Sequence, residues 1–489
     1  MRWCVVVLCL AAVSAIAQET TQNQNKDKKE NALRGELRRE SERVSDSCKF
    51  SFKAIPMCGY TLFTDHPLHI AAGSMPPQNG FGLGGAFVWT KNVTNWRLSW
   101  DVDAITATSG GAWRAGGYMK MVHTPHPKEG SPIEVDEPGA GSTPGSSDAP
   151  SNKKETAPFH HPYAVFNLYA QSISLNKLNY FGAGNDSSLA GASLFGMTQT
   201  IVGVNAIKPV YELPAIRKIN LALLGEISGR FVNIRGDHGQ SLPSIETLYT
   251  NTTAPGLTSQ PAFVQMSQGI RIKPATGDYL NLNYVGKFEE FFAPSNSTNS
   301  FLRWTIDLDH TINLYKFQSA PVASDRLGPD SCDHVNERCP KYATTRNRNG
   351  FVGARFLLSE SITSATSFVP FYFQQTLGGQ DINSNLSLGS YQDYRFRAPN
   401  ILLVQGYAEH SIWGPFGLKF MADGGRVALT RSDIGFSHFR HSYAAGLTLR
   451  AGAFPMVSIM FAWGGPEGHH NIFNMNPSLL GGSARPLLD

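Results

Sequence analysis

The stretch "NWRLSWDVDA", residues 95–104, alternates without a break. Trp96, Leu98, Trp100, Val102 and Ala104 are apolar, while Arg97, Ser99, Asp101 and Asp103 between them are polar. Successive side chains of a strand point to opposite faces, so this segment has one oily face and one charged face. The rule recurs far away in the chain. In "RWTIDLDHTINL", Trp304, Ile306, Leu308, Ile312 and Leu314 alternate with Arg303, Thr305, Asp307, Asp309, Thr311 and Asn313. In "INLALLGEISGRF", Ile219, Leu221, Leu223, Ile227 and Phe231 alternate with a set containing Asn220, Glu226, Ser228 and Arg230.

Further strands are predicted near 80–90, 111–124, 163–184, 193–210, 262–275, 279–292, 350–363, 400–413, 416–430, 439–450, 455–464 and 468–476. With the three above, these make about fifteen, and an even total near sixteen suits a closed bacterial barrel. Several are far longer than the roughly five or six residues of a soluble strand. They reach the length that a tilted strand needs to cross a bilayer. The expected fold is all-β: a transmembrane antiparallel β-barrel of about 16 strands over residues 67–489. Its apolar faces look at lipid, and Arg97, Asp101 and Asp103 look into a wet or salt-bridged lumen. Tight turns such as 108–113 contrast with long polar connections at 125–162, 237–261 and 318–349, so short turns are expected at one end and long loops at the other. The competing architecture is a secreted β-sandwich or propeller, for instance a carbohydrate-binding protein, whose apolar faces would meet each other. No blade-sized repeat supports it.

Only 16% of residues are charged and the net charge is +4. That is below the roughly 25% of an ordinary soluble domain and implies no nucleic-acid partner. Past the N-terminus no apolar run is long enough for a transmembrane helix, so a membrane role requires a barrel. The start, "MRWCVVVLCLAAVSAIAQ", has Arg2, an apolar stretch from Cys4 to Val13, and small residues at Ala15 and Ala17. It reads as a signal peptide over residues 1–17. Leu8 is too bulky for a lipoprotein site at Cys9. The mature chain keeps Cys48, Cys58, Cys332 and Cys339, whose spacing in an exported protein suggests disulfides Cys48–Cys58 and Cys332–Cys339. Residues 18–66 are polar and read as a periplasmic tail or plug.

The most specific region is 369–427. It carries Phe371 and Tyr372; Leu377, Gly378 and Gly379; Tyr391; Arg395, Phe396 and Arg397; Glu409; and Asp423, Gly425 and Val427. In this order and spacing it resembles the C-terminal barrel of the BamA/TamA family of outer-membrane assembly and translocation proteins, the bacterial surface antigens. The resemblance implies an inward loop bearing Gly378, Gly379, Tyr391, Arg395, Phe396 and Arg397, facing lumen positions Glu409, Asp423 and Gly425. It also implies lipid and unfolded or exported polypeptide as partners, and the cell outer membrane as location. Two departures stand out. Where the family loop has Arg-Gly before the aromatic, this chain reads Leu388, Gly389, Ser390, Tyr391. Arg395 is expected to stand in, pairing with lumen carboxylates such as Asp423. The fifty or so residues before the barrel also cannot hold the family's periplasmic repeat domain of about 75 residues.

There is no G-x-S-x-G, H-E-x-x-H or G-x-x-x-x-G-K-[ST], so no enzyme, cofactor or metal is expected. His123, His126, His160, His161, His469 and His470 read as loop or strand residues and not as ligands. The Asp101/Asp103 and Asp307/Asp309 pairs read as lumen charge balanced by Arg97 and Arg303. Trp96, Trp100, Trp304 and Trp413 are candidates for an interfacial girdle. Two functions stand open: insertion, export or surface display of polypeptide, and a passive channel or structural barrel. A translocator needs a weak seam between first and last strands, and the short, glycine- and proline-flanked "GHHNIFNMNP" is a candidate for one.

Overall fold

The computed structural model describes residues 67–124, 163–210, 219–236, 242–321, 342–451 and 454–475, except positions 110, 275 and 278, together with Arg38 and Leu488. The signal segment, the four cysteines, His126, His160 and His161 lie outside the described residues, as does the 18–66 tail apart from Arg38.

Among the described residues there are eighteen strands: β1 (Leu68–Ser74), β2 (Phe81–Val93), β3 (Trp96–Ala107), β4 (Trp113–His123), β5 (Val165–Tyr180), β6 (Ser193–Pro209), β7 (Leu221–Gly236), β8 (Phe263–Ile272), β9 (Leu280–Phe292), β10 (Phe301–Pro321), β11 (Tyr342–Ile362), β12 (Gln375–Leu377), β13 (Phe396–Ala398), β14 (Asn400–Trp413), β15 (Phe416–Ala428), β16 (Arg440–Ala451), β17 (Phe454–Trp463) and β18 (His469–Met475). Sixteen of them pair in chain order as one antiparallel sheet, and β12 and β13 form a separate two-stranded sheet between β11 and β14. The sheet curls until β18 lies beside β1, which makes a barrel.

The alternation read in the sequence is the inside–outside alternation of this barrel. On β3, Asp101 and Asp103 are buried while Val102 between them is 57% exposed. On β7, Leu223, Ile227 and Phe231 are exposed outward while Ser228 is buried. An outer wall studded with exposed Val, Ile, Leu and Phe is what a lipid-facing barrel presents. Trp89 stacks on Trp100 at 4.7 Å on that wall, beside the Trp96–His123 pair at 4.8 Å. Trp413, 76% exposed, lies at the same end of the barrel. Trp304 starts β10 at the opposite end. Among the described residues no helix is long and apolar enough to cross a membrane.

Lumen charges are paired locally. Arg114 reaches Asp103 at 2.6 Å and Arg355 grips Asp307 at 2.7 Å. Arg303, expected to balance Asp307 and Asp309, instead donates to the Ser361 hydroxyl and the Phe373 carbonyl.

The expected segregation of long loops to one end does not hold. Each antiparallel strand carries the chain to the other end. Connections 237–262 and 363–399 therefore leave from one end, whereas 124–164 and 322–341 leave from the end holding the start of β1 and the finish of β18. The first is called the cap end below, the second the terminal end.

Candidate functional site

Connection 363–399 turns back from the cap end and packs against the inner wall. Its anchor is aromatic. Phe371 meets Tyr180 at 5.3 Å and Phe195 at 5.2 Å, and Phe373 meets Phe263 at 4.9 Å and Phe291 at 5.3 Å. Edge-to-face and tilted rings at these separations add to the apolar burial. Two buried guanidinium groups clamp the backbone between the rings: Arg303 donates to the Phe373 carbonyl at 2.6 Å and Arg397 to the Phe371 carbonyl at 2.8 Å. Arg397 lies 5.9 Å from the Tyr180 and Phe371 ring centres. It makes no salt bridge among the described residues, and burial lowers its pKa to about 10.

The Leu-Gly-Gly step has a steric cause. Gly378 has φ +101°, and a Cβ there would stand 2.6 Å from the Cβ of Arg395. At Gly379, with φ +60°, a Cβ would strike Asp393, whose carboxylate accepts the Gln380 N–H at 2.9 Å. Burial raises the Asp393 pKa above the usual carboxylate range, against the opposing pull of that hydrogen bond. On the wall, Gly425 leaves room for Leu377, whose Cδ1 would be 2.9 Å from a Cβ at 425. These glycines let loop and wall approach to backbone distance.

The next segment meets the last strands. The Leu388 N–H, at a residue with φ +45°, donates to Asp423 Oδ2 at 2.9 Å, and Gln405 donates to Asp423 Oδ1 at 3.2 Å and to the Leu386 carbonyl at 2.9 Å. Ser390 donates its N–H to the Ser442 hydroxyl at 2.8 Å and its hydroxyl to the Gly464 carbonyl at 2.6 Å. Tyr391 packs on Phe396 at 5.1 Å and against Gly465.

Arg395 does not pair with Asp423, contrary to the sequence expectation. Asp423 is taken by the loop's own backbone, and Arg395 instead pairs with Glu467 at 2.8 Å. It also donates to the Ser187 hydroxyl and carbonyl, at 2.7 and 2.6 Å, and lies over the Phe181 and Phe396 rings. One guanidinium thus joins the 363–399 loop, the β5–β6 connection and the β17–β18 turn. The structure brings Gly378, Gly379, Tyr391, Arg395, Phe396, Arg397, Asp423 and Gly425 together. Glu409 stands apart, accepting from Thr448 at 3.2 Å with Arg450 at 3.6 Å. Sequence reasoning missed Glu467, Ser390 and Ser442. Glu467 had one faint signal, an acid in the glycine-rich turn "GGPEG".

The loop holds one side of the seam. Its contacts to Gly464, Glu467 and Ile472 grip the last hairpin from within; a Cβ at Gly389 would be 2.8 Å from Ile472 Cδ1. β1 and β18 themselves are seven residues each. Among the described residues they share no hydrogen-bonded ladder, whereas each other adjacent pair in the sheet does.

No family model matches the chain, and no curated protein does. Solved structures similar to it include CdiB from Acinetobacter baumannii, at 10% identity and TM-score 0.44, covering 83% of this chain and 58% of that one. CdiB from Escherichia coli is similar at 10% identity and TM-score 0.46, covering 84% and 62%. BamA from Haemophilus ducreyi lacking POTRA domains 1-3 is similar at 9% identity and TM-score 0.43, covering 89% and 80%. This chain therefore spans less than two thirds of the length of the two CdiB chains.

Proposed function

We propose that the protein is an outer-membrane barrel that inserts or exports polypeptide by opening between β1 and β18. The carrying observation is the seam: two short neighbouring edge strands with no ladder between them among the described residues. A seam between two short strands that share no ladder is a place for strand addition, the mode by which an extended client would bind. The resemblance of residues 369–427 to assembly and translocation barrels supports the same reading. A passive channel is less well supported, because the aromatic and arginine anchor of the 363–399 loop occupies the inner wall.

The test uses the full chain in lipid vesicles and an unfolded eight-stranded outer-membrane barrel as client. The protein speeds client insertion, a disulfide engineered between β1 and β18 stops it, and reductant restores it. Client insertion unaffected by the protein, accompanied by steady ion conductance, overturns the proposal in favour of a channel.

A further inference from the structure

We propose that the cap end carries a binding cleft for a neutral oligosaccharide, independent of the seam and of the transport reading. A cavity of about 920 Å³ lies among the β5–β6, β7–β8 and β15–β16 connections and the segments flanking the inward loop. Its volume falls in the range of small-ligand sites. Seven of its lining residues are Ser or Thr, Thr252, Thr363, Ser367 and Ser432 among them, set in a wall that is otherwise largely apolar. Hydroxyls that can turn either way match a ligand whose own groups are hydroxyls.

Two fixed groups give the cleft direction. Tyr249 is held by its hydroxyl's 2.6 Å bond to the Gly191 carbonyl and by an edge contact with Tyr180 at 4.7 Å. Its ring thus offers a preset surface for the C–H face of a sugar. Arg431 is held through Nε by Glu360 at 2.8 Å, and its two terminal nitrogens have no partner among the described residues. The paired carboxylate cancels the charge and leaves oriented donors, which favours a neutral hydroxyl ligand over an anion.

The experiment is saturation-transfer NMR and calorimetry on the full chain in nanodiscs, with maltotriose and N-acetylchitotriose as probes and trigalacturonate as the acidic comparison. At least one neutral trisaccharide should bind one to one, more tightly than trigalacturonate. Ser432→Trp and Thr252→Trp, on separate connections, should each weaken it at least tenfold while unboiled samples keep the heat-shifted gel mobility expected of a folded barrel. Absence of binding by both neutral probes, preference for the acidic one, or binding unchanged in both folded variants overturns the proposal. Nanodiscs with and without lipopolysaccharide separate the sources. Weaker probe binding in the former means that a membrane glycan fills the cleft, and equal binding means that the ligand comes from solution; both results support the site. Loss of client insertion with sugar binding intact would sink the transport reading alone.

Discussion

Two places in the barrel wall differ sharply. Strands β10 and β11 pair from Leu302 with Ile362 to Pro321 with Tyr342, running past the ends of β9 and β14. Strands β1 and β18, seven residues each, come near one another with no ladder between them among the described residues. A ladder bond contributes roughly 0.5–1.5 kcal/mol net, so the difference amounts to several kcal/mol along one barrel. Closure is therefore graded: the β10–β11 wall is held by a long ladder, and the seam is held by side chains reaching the last hairpin from inside. Arg395 and Glu467 are the clearest such contact, since they tie the β17–β18 turn to the loop and to Ser187 across the lumen.

The largest expected effect is on the loop anchor. Phe371→Ala should cost about 3–5 kcal/mol, seen as a lower temperature for loss of the heat-shifted gel band. It should also raise proteolysis at the seam more than at β10–β11. Glu467→Gln leaves the Arg395 guanidinium without its carboxylate and should cost about 3 kcal/mol. The loss should appear in exchange of β17 and β18 amides, while β10 and β11 keep their protection. Gly378→Ala places a side chain at φ +101° against Arg395 and should cost about 1–3 kcal/mol in the same gel assay. Acidification should work the other way. The Asp393 pKa is raised, so its charged form opposes folding at neutral pH and the opposition fades as pH falls through the raised value. After correction for intrinsic rates, amides 376–395 should exchange more slowly in mild acid, and Asp393→Asn should flatten that dependence. Smallest is Glu360→Gln on β11, whose partner Arg431 is 53% exposed at the side chain. It should change stability by no more than about 1 kcal/mol and leave the seam untouched.

The barrel wall was legible because its two faces meet different solvents. Trp100 against Asp101, or Ile306 against Asp307, is the contrast that a strand between lipid and lumen requires. β1 escaped notice because "LHIAAGS" has no such contrast: Ala71, Ala72 and Gly73 are all buried. The glycines of the loop were legible as a motif, and their cause, close approach to Arg395 and Asp393, lies in the folded chain alone. The partner of Arg395 was not legible, since Glu467 follows it by 72 residues and meets it only through strand register. Loop ends were misassigned from length alone, although three strands between 124–164 and 237–262 force opposite ends.

Hydrogen exchange of the full chain in nanodiscs, resolved to peptides of β1, β18, β10 and β11, tests the central claim most directly. The account predicts that the β1 and β18 amides exchange at least a hundredfold faster than those of the β10–β11 ladder. It also predicts that a β1–β18 disulfide removes most of the difference. Equal protection in all four strands of the unlocked protein would mean that the seam is sealed, and would contradict it.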